Sequence, residues 1–220
     1  MRKSLIVFVG CALFACSGGD DKTIVSTDVQ MHTLIFMDKS VSVNVNRAFV
    51  NQKYQQAIND IVEQTIRQKG DKIEVYFIHE NTAKARALTL TSRAEMEDIS
   101  RASATDREAA KTSFDLALQR EKGLFKQQLR AKLAESNTNK SNQETDIWAS
   151  IQVISRLTEM ATVVKVYYLS DMVESMKGSD RRDFGRTPPS SVAQADDWAK
   201  SDAEQLKKYP IANVDIMLIL

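Results

Sequence analysis

The stretch His32-Thr-Leu-Ile-Phe-Met-Asp-Lys-Ser-Val-Ser42 decides the fold. Its first six residues are rich in strand formers, run apolar without alternation, and stop at a carboxylate. A continuous apolar run fits a strand buried on both faces, as in a parallel sheet under helices. Asp38 ends that strand, and Ser40 and Ser42 follow at alternate positions in the next loop. In open α/β sheets ligands bind outside the carboxyl ends of the strands. Chemistry is therefore expected where this run stops.

Downstream, Val50, Tyr54, Ile58, Ile61 and Thr65 recur at helical spacing, predicting a helix over 47–69 with Gly70 as its stop. Lys72 to His79 alternates and reads as a second strand with Ile73, Val75, Phe77 and His79 on one side. Ala85 to Thr91 is a third, polar enough for an edge. Residues 93–136 are charged and helical, with one stripe of Phe114, Leu118, Phe125, Leu129 and Leu133, expected to dock a surface helix. The polar residues 136–144 read as a loop. A helix over 146–160 turns Ile147, Ile151, Ile154 and Leu157 inward. A further apolar strand ends at Asp171, and a Gly- and Pro-containing loop spans 172–190. Residues 191–208 form a helix with Val192, Ala195, Trp198 and Leu206 on its apolar side, and 213–220 a last strand. Strands alternating with helices predict an α/β fold with a doubly wound, mostly parallel sheet and helices on both faces.

On that sheet Asp38 and Asp171 both end strands, and Thr145 opens a helix after a polar loop. With Ser40 and Ser42 they make two carboxylates and three hydroxyls converging on one edge. Hard oxygen ligands favour Mg²⁺, Ca²⁺ or Mn²⁺ over zinc or copper. Few charges and several neutral hydroxyls suit a Mg²⁺ that keeps waters and still accepts a carboxylate from another molecule.

Asp38-Lys39-Ser40-Val41-Ser42 resembles the Asp-x-Ser-x-Ser motif of von Willebrand factor type A domains. Thr145 resembles the family's Thr element, and Leu169-Ser170-Asp171 its second Asp element, with Met172 where a Gly is usual. The resemblance covers about residues 32–220. It implies a metal-ion-dependent adhesion site in which Ser40, Ser42 and Thr145 ligate directly or through water, while Asp38 and Asp171 act largely through water and hydrogen bonds. It implies Mg²⁺ as the usual metal and a protein or peptide ligand whose acid completes the shell. Two departures stand out: a helical insertion at about 93–136, and a chain that stops on an apolar strand where the family continues through another strand and a final helix.

The amino terminus reads separately. Arg2 and Lys3 precede an apolar run, Leu5 to Phe14, too short to span a bilayer. Leu13-Phe14-Ala15-Cys16 resembles the lipobox of bacterial lipoproteins, implying a signal peptide over 1–15, lipidation of Cys16, and a tether to about residue 30 before the 31–220 domain. Cys11 lies in the removed segment, so the mature chain keeps no thiol for a disulfide. Asp20-Asp21 resembles the surface-export signal of some Gram-negative lipoproteins, so the expected location is the cell envelope, outer membrane or cell surface over inner membrane. Loss of Arg2 and Lys3 lowers Lys+Arg from 30 to 28 against 29 acids, giving a net charge of −1. No basic field for nucleic acid is expected.

Other readings carry less. A haloacid-dehalogenase-type nucleophile at Asp38 needs a second Asp where Ser40 stands. Asp183-Phe184-Gly185 lacks the rest of a kinase pattern and reads as a surface loop. His32, His79, Trp148 and Trp198 read as structural. Without a Gly-x-Ser-x-Gly, His-Glu-x-x-His or phosphate-loop motif, the expectation is a lipid-anchored binding protein rather than an enzyme. The alternative is a structural or assembly lipoprotein of the envelope whose domain uses no metal.

Overall fold

In the computed structural model, which describes residues 29–40, 43, 47–135, 144–159, 163–178, 181–211 and 213–220, the decisive run becomes β1 (Met31–Asp38), buried along its whole length. It has a parallel neighbour on each side. β2 (Lys72–Ile78) pairs from His32↔Lys72 to Asp38↔Ile78, and β4 (Val163–Leu169) from Met31↔Val163 to Met37↔Leu169. A strand enclosed in this way has no wet face, which is why its sequence does not alternate. β3 (Arg86–Thr91) pairs antiparallel with β2, and β5 (Val214–Ile219) parallel with β4. The order is β3-β2-β1-β4-β5, a mostly parallel α/β sheet of the expected class.

Two cores lie on the two faces. Ile35 and Met37 pack with Tyr54, Ile58, Ile61 and Val62 of α1 (Arg47–Thr65) and with Leu118, Phe125 and Leu129 of α2 (Ala104–Ala134). Leu34 and Phe36 pack with Val153 and Ile154 of α3 (Trp148–Thr158). The right-handed crossover rule puts α4 (Val192–Leu206) on the α3 side. There Gln152 reaches the Tyr209 hydroxyl at 3.2 Å, and Thr158 donates to the Pro210 carbonyl. The helix expected within 93–136 lies against α1 with its predicted stripe inward. Among the described residues no helix is long and apolar enough to cross a membrane.

Several details differ from expectation, each for a local reason. β2 is buried on both faces, not one, because it lies inside the sheet with cores above and below. His79 falls just past it, and its Nδ1 accepts the Asn81 N–H at 3.1 Å. α1 ends at Thr65, four residues early. The Asp71 carboxylate takes the N–H groups of Arg67 (2.7 Å), Gln68 (3.0 Å) and Met31 (2.8 Å), so the chain turns where a helix would have continued. Gly70 completes that turn at φ +90°, and a Cβ there would sit 2.3 Å from the Gln30 side chain. α3 starts at Trp148, two residues late, with the Asp146 Oδ1 just ahead of it accepting the Ala149 N–H of its first turn at 3.0 Å. α4 buries none of its residues fully; of its apolar side Ala195, Trp198 and Leu206 are half-buried and Val192 is 79 % exposed. The segment 1–28, with Cys16, lies outside the described residues, as do 136–143 of the predicted polar loop.

Candidate functional site

Asp38 closes β1 as a buried carboxylate with both oxygens engaged. Oδ1 accepts the Ser40 N–H at 2.7 Å, and Oδ2 accepts the Ser170 hydroxyl at 2.7 Å. Burial pushes its pKa above the ordinary Asp range. Hydrogen bonds from Ser40 and Ser170 pull it down, while the Asp171 charge pushes it further up. Ser40 is itself buried. Ser42 lies outside the described residues.

Thr145 is buried at the same carboxyl edge. Its N–H donates to Ser175 Oγ at 2.8 Å, and its carbonyl accepts the Ser175 N–H at 3.1 Å. The next residue donates from its backbone to the His79 carbonyl at 3.3 Å, just beyond the end of β2, where Ile78 pairs with Asp38. Asp171 stands exposed past the end of β4, its Oδ1 accepting the Val173 N–H at 3.0 Å. Met172, where the resemblance calls for Gly, adopts φ +60°. The left-handed turn that favours glycine is thus present, held by a methionine whose N–H is fixed to Ser170 Oγ at 3.0 Å. Four of the five predicted residues, Asp38, Ser40, Thr145 and Asp171, therefore lie along one sheet edge.

Electrostatically this edge is acidic. Tyr54 of α1 is buried beside it. Burial first, then the Asp38 and Asp171 charges, raises its pKa and keeps the phenol neutral. No Lys or Arg among the described residues forms an ion pair with Asp38 or Asp171. The ammonium of Lys39, next to Asp38 in the chain, meets the Leu133 carbonyl near the end of α2 and lies 5.3 Å from the Phe77 ring centroid. Among the described residues no three His, Cys, Asp or Glu side chains group as a metal site. The candidate donor set is hydroxyl-rich and all hard oxygen, which fits a small divalent cation of the Mg²⁺ type better than a soft metal.

Three contributors escape a reading of the sequence. Ser170 had a signal, since it stands at the strand end beside Asp171. Ser175 and Glu174 had none, because only the path of the 172–190 loop carries them back to the edge. Glu174 is buried, and its Oε2 accepts the N–H groups of Ile147 (2.7 Å) and Trp148 (3.4 Å) at the start of α3. Burial, with the Asp146 charge nearby, pushes its pKa up to about 7 against the pull of the Ile147 N–H and Arg181. Arg181 pairs with Asp146 at 3.0 Å and lies over the Trp148 ring. Arg182 grips Asp202 of α4 with two hydrogen bonds of 3.0 and 2.8 Å and stacks on Trp198. Asp183-Phe184-Gly185 forms a turn here, with Asp183 bridged to Ser175 and Phe184 against Trp198. The loop flanking the edge is thus pinned to α3 and α4.

No family model and no curated protein matches the chain. Among solved structures it is similar to proximal thread matrix protein 1 from the mussel byssus. Crystal form 2 of that protein gives 11 % identity and a TM-score of 0.40, over 87 % of this chain and 38 % of that one. A structure of it with a zinc-occupied MIDAS motif gives 13 % and 0.38 over 87 % and 38 %. A third gives 14 % and 0.35 over 86 % and 36 %. The chain spans less than two fifths of the length of these neighbours.

Proposed function

We propose that the chain is a binding protein that grips a protein or peptide partner through a divalent cation, Mg²⁺ by preference, held at the carboxyl edge by Asp38, Ser40, Thr145 and Asp171, with Ser42 as the remaining ligand. The observation that carries this reading is a charge deficit. A buried carboxylate with a raised pKa has a second carboxylate near it and, among the described residues, no cationic side chain paired with either. Burial of an uncompensated carboxylate is costly, and a cation at the edge would offset that cost. Bound there, the ion would supply an electrophilic centre for a carboxylate of the partner. The pinned 172–190 loop beside it suits a specificity surface.

The same proposal places the domain on a lipid at Cys16, on the outer face of a bacterial envelope, with neither a nucleic-acid partner nor a catalysed reaction. Calorimetric titration of the mature chain with Mg²⁺ and Mn²⁺ tests the metal. Saturable binding that is lost in Asp38→Asn is expected, and an isotherm unchanged by that substitution would overturn the reading. A second reading, a metal-independent assembly lipoprotein, is favoured by the unburied α4 and by Leu116 and Leu124 exposed on α2. Partner capture that survives chelator would select it.

A further inference from the structure

On the α3 side of the sheet, away from the acidic edge, a pocket of about 570 Å³ opens between β2, β3, the short 3-10 turn Thr82–Lys84 and the second half of α3. Its size falls within the range of small-molecule sites, roughly 300–1,000 Å³. Four cationic side chains line it: Lys72, Lys84, Arg86 and Arg156. Glu74 is its one lining acid, and that carboxylate is already committed. Lys72 Nζ lies at 2.5 Å, the Tyr76 hydroxyl at 3.0 Å and Arg86 at 3.6 Å. Glu74 therefore positions Lys72 and Arg86 without neutralising the pocket.

Among the described residues Lys84 and Arg156 form no ion pair, and Arg156 spends only its Nε on the Gln152 carbonyl. His32, 7 % exposed, also lines the pocket. Its Nε2 faces Glu74 Oε1 at 3.6 Å, so His32 too helps to hold that carboxylate. Val153 and Leu157 give the pocket an apolar wall. A concave surface with one sign of charge in excess and a low-dielectric wall concentrates ions of the opposite sign.

We propose that this pocket binds a small organic oxyanion carrying two or more negative charges beside an apolar group, with Lys84, Arg86 and Arg156 meeting the charge and Val153 and Leu157 the apolar part. Guanidinium groups suit planar or tetrahedral oxyanions through paired N–H donors. The site is independent of the metal edge. His32 and Asp38 lie six residues apart on one strand, about 20 Å.

The test is a ¹H–¹⁵N NMR titration of the full chain with phenyl phosphate and, separately, phthalate, with benzyl alcohol as the uncharged control. Saturable shifts are expected at residues 72–86 and 153–157, unchanged in Asp38→Asn. Affinity should fall about tenfold in the Lys84→Gln/Arg156→Gln double variant, whose two exposed side chains leave the fold intact. The charge-conserving Lys84→Arg/Arg156→Lys pair, which keeps both charges and one guanidinium, should bind more tightly than the double glutamine variant. Saturation by phenyl phosphate alone identifies a phosphate head, and saturation by both probes an oxyanion site of either kind. Non-saturating shifts, equal response to benzyl alcohol, or affinity indifferent to the double variant would overturn the proposal.

Discussion

Burial lifts the Asp38 carboxyl above its ordinary range while two serines hold its oxygens in place. Without metal, Asp38→Asn should therefore cost no more than about 1 kcal/mol, because it removes a desolvated charge and keeps an acceptor for the Ser40 N–H, against the loss of the acceptor for the Ser170 hydroxyl. Urea unfolding in chelator checks this, and a large loss would show that the charge is compensated by the protein itself. Glu174 gives a pH prediction. Its pKa is about 7 in the fold and 4.5 as an unperturbed side chain, so between those values the folded state holds a proton that the unfolded state has lost. Stability should fall as pH rises from about 4.5 through about 7, by at most about 3 kcal/mol from this group, and then level off. Glu174→Gln should flatten that fall in melts across the same window. At this scale the sequence was legible where a residue's position follows from the end of a strand, as for Asp38 and Asp171. It was silent on Glu174 and Ser175, whose roles depend on the route of a loop.

Among the elements, α2 is the one that nothing in a plain strand–helix alternation requires, yet its stripe docks on α1 as the spacing of Phe114, Leu118, Phe125, Leu129 and Leu133 implies. Leu129 is fully buried and Leu116 is 67 % exposed. Leu129→Ala should cost about 2–5 kcal/mol in urea unfolding and Leu116→Ala less than about 0.5. Equal effects would mean that α2 is not docked through this stripe. Lys122, half-way along, is buried with its ammonium on Glu63 at 2.9 Å, a contact between helices that periodicity could not announce. The strands were legible because burial on both faces writes an unbroken apolar run. Helix ends were less so, because Asp71 and Asp146 act through hydrogen bonds that no apolar pattern records. The apolar positions of α4 carried a helical period but not its packing, since periodicity gives a face without saying what covers it.

For the molecule as a whole, metal and fold should be linked. A cation that binds only the folded chain stabilises it by about 2.7 kcal/mol at one hundred times its Kd. For a chain of this size that is roughly 5–10 °C in melting temperature. Differential scanning calorimetry with Mg²⁺ should show that rise in the parent and none in Asp38→Asn. The overall α/β class was readable from alternation alone; the two-sided core, with α1 and α2 on one face and α3 on the other, needed the register of β1 between β2 and β4. Lys39 occupies the unspecified position of the Asp-x-Ser motif, but its ammonium is tied to the Leu133 carbonyl of α2 and sits over Phe77. Grafted onto another sheet without that helix, residues 38–42 would lose the Leu133 carbonyl that holds the Lys39 ammonium, and the lysine would compete with the cation for the neighbouring carboxylate. A designer moving the loop would have to move the helix with it or rewrite Lys39.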